Sequence, residues 1–462
     1  MPRILSLEVD ISHKVSYNWR MSKKNMTKLS TDPYKGVRDF YPEDMAIENH
    51  IWNVMRTTVE RYGYEEYAAS ILEPSELYYA KSGEELVNEQ TYTFKDRGNR
   101  EVTLRPEMTP TVARLVAAKR RELAFPLRWY SIPNVFRYER PQRGRLREHW
   151  QLNVDLFGAD ILEADAEIIT IAHNILQNYG LAKTHYAIRL SYAGILKETL
   201  EKEYALSHEE SIRVIKLLDK FVKGNENLLS KDEFKNALQE AVPNKADTLK
   251  KAFEKKTFLQ ALEKQDGYQY SRNLEKLLDQ EGIPAQMNAY LTRGFDYYTG
   301  IIFEVFDTNP ANSRSLFGGG RYNDLLDIFG AEKISAVGFG MGDVTIRDVL
   351  ETYNLLPNRE SVTKLLIIPH ASEFIDICKK LAAQLRSFGI AVALQLVEKK
   401  MGENFKYAER HLIPFAVVIG KNEEISGMLS VKNILTQEQT PMRMDDIAAW
   451  IAEQQTRKPV LQ

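Results

Sequence analysis

The chain has 462 residues, 44% of them hydrophobic and 27% charged, with a formal net charge of −2. That length allows two or three globular domains, the composition favours a globular over a disordered chain, and the net charge excludes a generally polycationic surface. A single cysteine, Cys378, excludes a disulfide framework and a cysteine-rich metal site, the eight histidines show no metal-ligand spacing, and no apolar run approaches the ~18 residues of a membrane span.

Residues 1–30 lack a sustained hydrophobic period and read as a disordered extension, or as lying upstream of a later start at Met21 or Met26; Glu8 and Asp10 argue against a targeting peptide. From Pro42-Glu43-Asp44 the spacing of Ile47, Ile51, Val54 and Met55 predicts a helix over 45–62, closed by Gly63. Tyr67 to Leu72 reads as a strand running into Pro74. Thr91 to Phe94 and Glu101 to Leu104 flank Asp96-Arg97-Gly98-Asn99, which predicts a hairpin. A helix follows Pro110, then a strand over 127–139 interrupted at Pro133, then a helix over 164–179. From about 195 to 284 the sequence turns rich in Leu, Lys and Glu with helical periodicity, which predicts a helical insertion. Strands are expected at 301–306 and 336–341. The run Gly318-Gly319-Gly320 suggests a turn or a close backbone approach, with helices beginning near Tyr322 and Asp343. Beyond a linker at 355–358, strands at 365–368, 391–397 and 415–419 alternate with helices at 374–388, 404–412 and 445–454. This is the rhythm of a small α/β domain with parallel strands.

The segment Phe136 to Gly158, FRYERPQRGRLREHWQLNVDLFG, carries the most chemistry. Arg137 and Glu139 sit two apart, a basic turn-rich loop follows, and Gln151, Asn153 and Asp155 alternate with Leu152, Val154 and Leu156. Residues two apart on a strand share a face, so the segment predicts a hairpin with a polar face and a cationic tip. Arginine forks suit phosphate oxygens, carboxylates suit an ammonium group or magnesium, and tyrosine hydroxyls suit an imidazole. Taken singly, an Arg/Glu pair also fits a cross-strand ion pair, and a tyrosine pair fits a half-buried sheet surface. No GxxxxGK[ST] phosphate loop is present.

Four motifs occur in order: LRPEMT (Leu104 to Thr109), FRYERPQRGRLREHWQ (Phe136 to Gln151), RGFDYYTG (Arg293 to Gly300) and GGGRYNDL (Gly318 to Leu325). On these the chain resembles the class II aminoacyl-tRNA synthetases, and among them the histidyl-tRNA synthetase family, over nearly everything from residue 32 onward. The resemblance implies an α+β catalytic domain (31–357) with an antiparallel sheet flanked by helices, the helical insertion within it, and a C-terminal α/β domain (361–456) that binds the anticodon. It implies a cytoplasmic homodimer acting on L-histidine, ATP with Mg2+, and tRNA-His, with no protein-held metal and no membrane. It places Arg137 and Glu139 on ATP and Arg145 near the phosphates. Glu107 and Thr109 fall at the histidine α-amino group, and Gln151, Asp155, Tyr297, Tyr298 and Tyr322 in the histidine pocket. Arg293 reaches the α-phosphate. At position 155 the family often has glutamate.

One departure stands out. The last family motif usually ends in an arginine for the ATP γ-phosphate, whereas Gly338 to Leu350 reads GFGMGDVTIRDVL with Thr345 in that place. Arg347, two residues on, is rotated about 200° around a helix and is no simple substitute. A regulatory paralogue that binds histidine without charging tRNA is the alternative reading, favoured by Thr345 and opposed by the intact loop motif and C-terminal domain. From Ser361 to Gln462 there are 13 Lys/Arg against 11 Asp/Glu, so RNA recognition there is expected to rest on shape and base contacts.

Overall fold

The computed structural model describes residues 29–79, 90–222, 229, 231–292, 297–310, 312 and 315–456. The expectations for residues 1–28 and for Arg293 lie outside these. The first helix, Pro42–Glu60, starts with proline in its opening turn and Glu43 and Asp44 at its positive end. Ile51, Met55 and Val59, one turn apart, are fully buried on one face, which packs on the helix Leu162–Asn178.

The strands before the linker are β1 (Glu65–Glu66), β2 (Leu72–Pro74), β3 (Tyr92–Lys95), β4 (Glu101–Leu104), β5 (Leu127–Ser131), β6 (Asn134–Phe136), β7 (Glu148–Phe157), β8 (Tyr186–Tyr192), β9 (Ala285–Met287), β10 (Ile301–Asp307), β11 (Ser315–Arg321) and β12 (Ala336–Gly342). The main sheet runs β1-β5-β7-β12-β11-β10-β8-β9, with β6 also paired to β7. It is antiparallel through its centre, as expected, and parallel at both edges, where β1 meets β5 and β8 meets β9. The expected strand over Tyr67 to Leu72 is not formed. After β1 the chain leaves this sheet and crosses to a small one, β2-β4-β3, which contains the expected hairpin. The triple glycine is not a turn. It lies inside β11, where a Cβ on Gly319 would collide with the carbonyl oxygen of Gly338 on β12. Tyr322 does not open a helix either; a 3-10 turn begins only at Leu325.

Among the described residues, five helices between Ile195 and Glu263 build the insertion around their own core, including Leu200, Leu218, Phe234, Leu238 and Phe258, while the next helix, Asp266–Gln280, buries Leu274 and Leu278 in the core of the main sheet. After the linker come β13 (Leu365–Pro369), β14 (Val392–Leu394), β15 (Phe415–Ile419), β16 (Met428–Asn433) and β17 (Gln439–Arg443), ordered β14-β13-β15-β16-β17. The first three are parallel, as their alternation with helices predicts. An antiparallel pair, β16 and β17, extends the sheet where none was expected.

Candidate active site

β7 supplies one wall. Leu152, Val154 and Leu156 are buried toward the helix Leu162–Asn178, which leaves His149, Gln151, Asn153 and Asp155 on the opposite face. β6 pairs beside it and delivers Arg137 one residue after its end. The connecting loop is a hairpin tip. Gln142 and Arg145 exchange backbone hydrogen bonds at 3.0 and 2.9 Å, and Gly144 takes a φ of +75° that suits glycine. The expected polar face and cationic tip are thus both present.

A cavity of about 270 Å³ lies over this face. Glu107 and Thr109, Arg137, Glu139 and Arg145, Gln151 and Asp155, and Tyr297, Tyr298 and Tyr322 all line it. Of the residues selected from sequence only Arg293 is not placed, being outside the described residues. The cavity floor is backbone: Gly318 of β11 and Gly338 and Gly340 of β12 line it. A Cβ on Gly340 would meet the Gln151 amide, and one on Gly338 the Val154 carbonyl.

The buried end is acidic. The Tyr322 hydroxyl donates a hydrogen bond to Asp155 Oδ1, while Asp155 Oδ2 is buried without a partner. Burial pushes the Asp155 carboxyl up to about 7 despite that bond. Beside it the Tyr297 hydroxyl donates to Glu107 Oε2 at 3.1 Å, and Gln151 Nε2 donates to Asn153 Oδ1 at 2.7 Å. The open end is cationic. Arg137 Nε donates to the Pro106 carbonyl at 2.9 Å, and Arg145, half exposed, pairs with Glu139. His149 was not selected from the sequence, although its two-residue spacing from Gln151 was the available signal. Burial and the nearby arginines Arg137 and Arg38 pull its pKa down to about 3, so it is a neutral lining group.

Thr345 lines the cavity and donates from Oγ1 to the Leu316 carbonyl at 2.8 Å. Arg347 faces away from it, clamped by Asp44 at 3.0 Å, Glu48 at 3.2 Å and Glu351 at 3.2 Å. The rotation expected from helix geometry is therefore found. A second space of about 680 Å³ adjoins the first, sharing Gly144, Arg145, Ser315, Leu316 and Thr345, and reaches Tyr290 and Thr292 beyond the insertion. No group of three His, Cys, Asp or Glu suited to a metal occurs among the described residues. Glu107 and Glu139 are each engaged by a neighbour, so the donor set fits a cation that arrives on a substrate's phosphates.

A glycine-floored antiparallel sheet, overhung by an arginine-bearing hairpin and followed by a separate α/β module, is the architecture of the class II aminoacyl-tRNA synthetases. Residues 36–344 match the family model described as histidyl-tRNA synthetase, and residues 364–454 that of an anticodon binding domain. The histidine–tRNA ligase of Leptospira biflexa is 40% identical over 92% of this chain and 98% of its own. That of Haloarcula marismortui is 36% identical over 88% and 94%. The crystal structure of S. aureus histidyl-tRNA synthetase superposes with a TM-score of 0.70 at 26% identity, covering 92% of this chain and all of that one. The chain belongs to the histidyl-tRNA synthetase family.

Proposed function

We infer that the protein joins L-histidine to tRNA-His in an ATP-dependent reaction through a histidyl-adenylate. The observation that carries this reading is the polarity of one cavity, with a buried acceptor at Asp155 and cations at the open mouth. Histidine fits with its ring toward Asp155 and Tyr322 and its α-ammonium toward Glu107 and Thr109. The triphosphate then lies under Arg137 and Arg145, with the adenine beside Glu139.

In the first step a histidine carboxylate oxygen attacks the α-phosphorus, the bond to the β-phosphate oxygen breaks, and pyrophosphate leaves. No protein nucleophile is needed. Fixed guanidinium groups meet the charge that grows on the phosphoryl oxygens, and alignment supplies the rest. Arg137 takes that role, joined by Arg293 on the strength of the sequence resemblance. In the second step a terminal ribose hydroxyl of the tRNA attacks the histidyl carbonyl and AMP leaves. A pocket that hydrogen-bonds the imidazole rejects apolar analogues, because they would leave its buried polar groups unpaired. Mg2+ enters with ATP. A homodimer in the cytoplasm, with the C-terminal module reading the anticodon, completes the proposal.

Charging of tRNA-His with labelled histidine tests it. Charging is expected; histidine binding without charging would instead support the regulatory-paralogue reading, for which Thr345 is the one favouring feature.

A further inference from the structure

Three buried side-chain oxygens cluster behind the histidine end of the cavity: Asp155 Oδ2, the Tyr67 hydroxyl and the Ser131 hydroxyl. None makes a hydrogen bond of good geometry, although the Ser131 hydroxyl lies near enough to the Tyr67 hydroxyl to interact with it. Buried polar groups are nearly always satisfied, so three unsatisfied ones in one place need a reason. The sheet explains their meeting. β5 pairs with β7 so that Trp129 faces Asp155 and Ser131 faces Asn153, which puts Ser131 and Asp155 on the same face, diagonal to each other. Tyr67 follows β1, continues its pairing by donating its amide to the Tyr130 carbonyl at 2.8 Å, and packs its ring on Trp129 at 5.7 Å. Its hydroxyl has the Ser131 hydroxyl and the Asp155 carboxylate as polar neighbours, and burial among them raises it well above its ordinary value. It is therefore a neutral donor at any physiological pH.

We propose that Tyr67 is a positioning residue for substrate recognition, its hydroxyl backed by Ser131 and donating to Asp155 Oδ2, directly or through one water, to hold Asp155 as the acceptor of the histidine ring. The proposal rests on the assignment of Asp155 to histidine. It gives Asp155 a donor from behind the cavity to match Tyr322, which donates to Oδ1. An aspartate is one methylene shorter than glutamate and cannot reach its ligand by side-chain flexibility. A second fixed donor sets both its charge and its direction. Neither Tyr67 nor Ser131 lines the cavity, so neither touches the substrate.

The test is ATP–pyrophosphate exchange on the full chain, with histidine affinity measured in parallel by calorimetry and folding by thermal unfolding. Tyr67→Phe is expected to raise the KM and Kd for histidine about tenfold or more, the scale of a lost hydrogen bond to a charged group, with the KM for ATP unchanged. In an Asp155→Asn background, adding Tyr67→Phe is expected to change histidine affinity less than about twofold, because the two act as one unit. Ser131→Ala should reproduce part of the effect, and it serves if Tyr67→Phe fails to fold. Unchanged histidine affinity in the folded single variants, an equal loss in both backgrounds, or an equal rise in the KM for ATP would each overturn the proposal. If Asp155→Asn itself leaves histidine affinity intact, the assignment of Asp155 fails as well.

Discussion

Arg145 Nη1 donates to Glu139 Oε2 at 3.0 Å across the open end of the cavity, so two groups assigned to the nucleotide hold each other in the free protein. On the proposed binding mode ATP would part them, its phosphates taking the arginine. Arg145 is half exposed, and such pairs contribute about 0–1 kcal/mol to stability. Arg145→Ala should therefore raise the KM for ATP about tenfold while leaving the melting temperature nearly unchanged. A fall of several degrees with normal ATP affinity would show a structural pair instead.

Arg293 is assigned to charge stabilisation at the α-phosphate. Arg293→Ala should lower the rate of ATP–pyrophosphate exchange by roughly 10²-fold or more, with histidine binding retained. Near-normal exchange would remove it from the reaction.

Arg347 is held by three carboxylates, one of which, Glu48, is fully buried. Burial and the nearby Asp343 push the Glu48 carboxyl upward, and Arg38 is its other cationic partner. Arg347→Ala should cost about 3 kcal/mol in denaturant unfolding, because it leaves a buried acid poorly compensated. The KM for ATP should not move; a tenfold rise would mean that Arg347 does reach the nucleotide.

Asp155 rises from 3.8 in the unfolded chain to about 7 in the folded one. Between these values the folded state keeps a proton that the unfolded state has released. Its contribution to stability is therefore full below about pH 4 and is lost as pH rises through 7. Asp155→Asn should flatten the pH dependence of unfolding between pH 4 and 7 and leave the free protein more stable than wild type at pH 8. Histidine affinity should be weakened in the same variant, to a value still measurable by calorimetry. A slope identical to wild type would contradict the burial of this charge.

Two glycines should behave differently. The obstacle to a side chain at Gly319 is the backbone of Gly338, which cannot yield without breaking the β11–β12 pairing. At Gly340 it is the amide of Gln151, the end of a flexible side chain. Gly319→Ala should abolish soluble expression or destabilise by roughly 3 kcal/mol. Gly340→Ala should fold and raise the KM for histidine about tenfold or more.

The site was more legible than the strands around it. Alternation along Gln151, Asn153 and Asp155 marks one face whatever the neighbouring strand is, and the hairpin tip announces itself by charge and glycine. Tyr67 misled because a residue with strand character here spans the gap between two sheets, keeping a single bond to Tyr130. The glycine run of β11 lacks every side-chain sign of a strand. Its conformation is set by the strands on either side, which local sequence does not contain. The β16–β17 hairpin was hidden by exposed polar residues and by Pro441, tolerable because β17 is an edge strand. Ser131 and Tyr67 gave no sign of meeting Asp155, since their encounter depends on β5–β7 register.

The backbone floor bears on how such a pocket can diverge. Side-chain walls change one residue at a time, and each intermediate still folds. At Gly338 the floor has no equivalent path, since a side chain there would push on the main chain of Val154. New amino-acid preferences in descendants of this chain would therefore arise along β7 and the tyrosine wall, while Gly338 stays fixed.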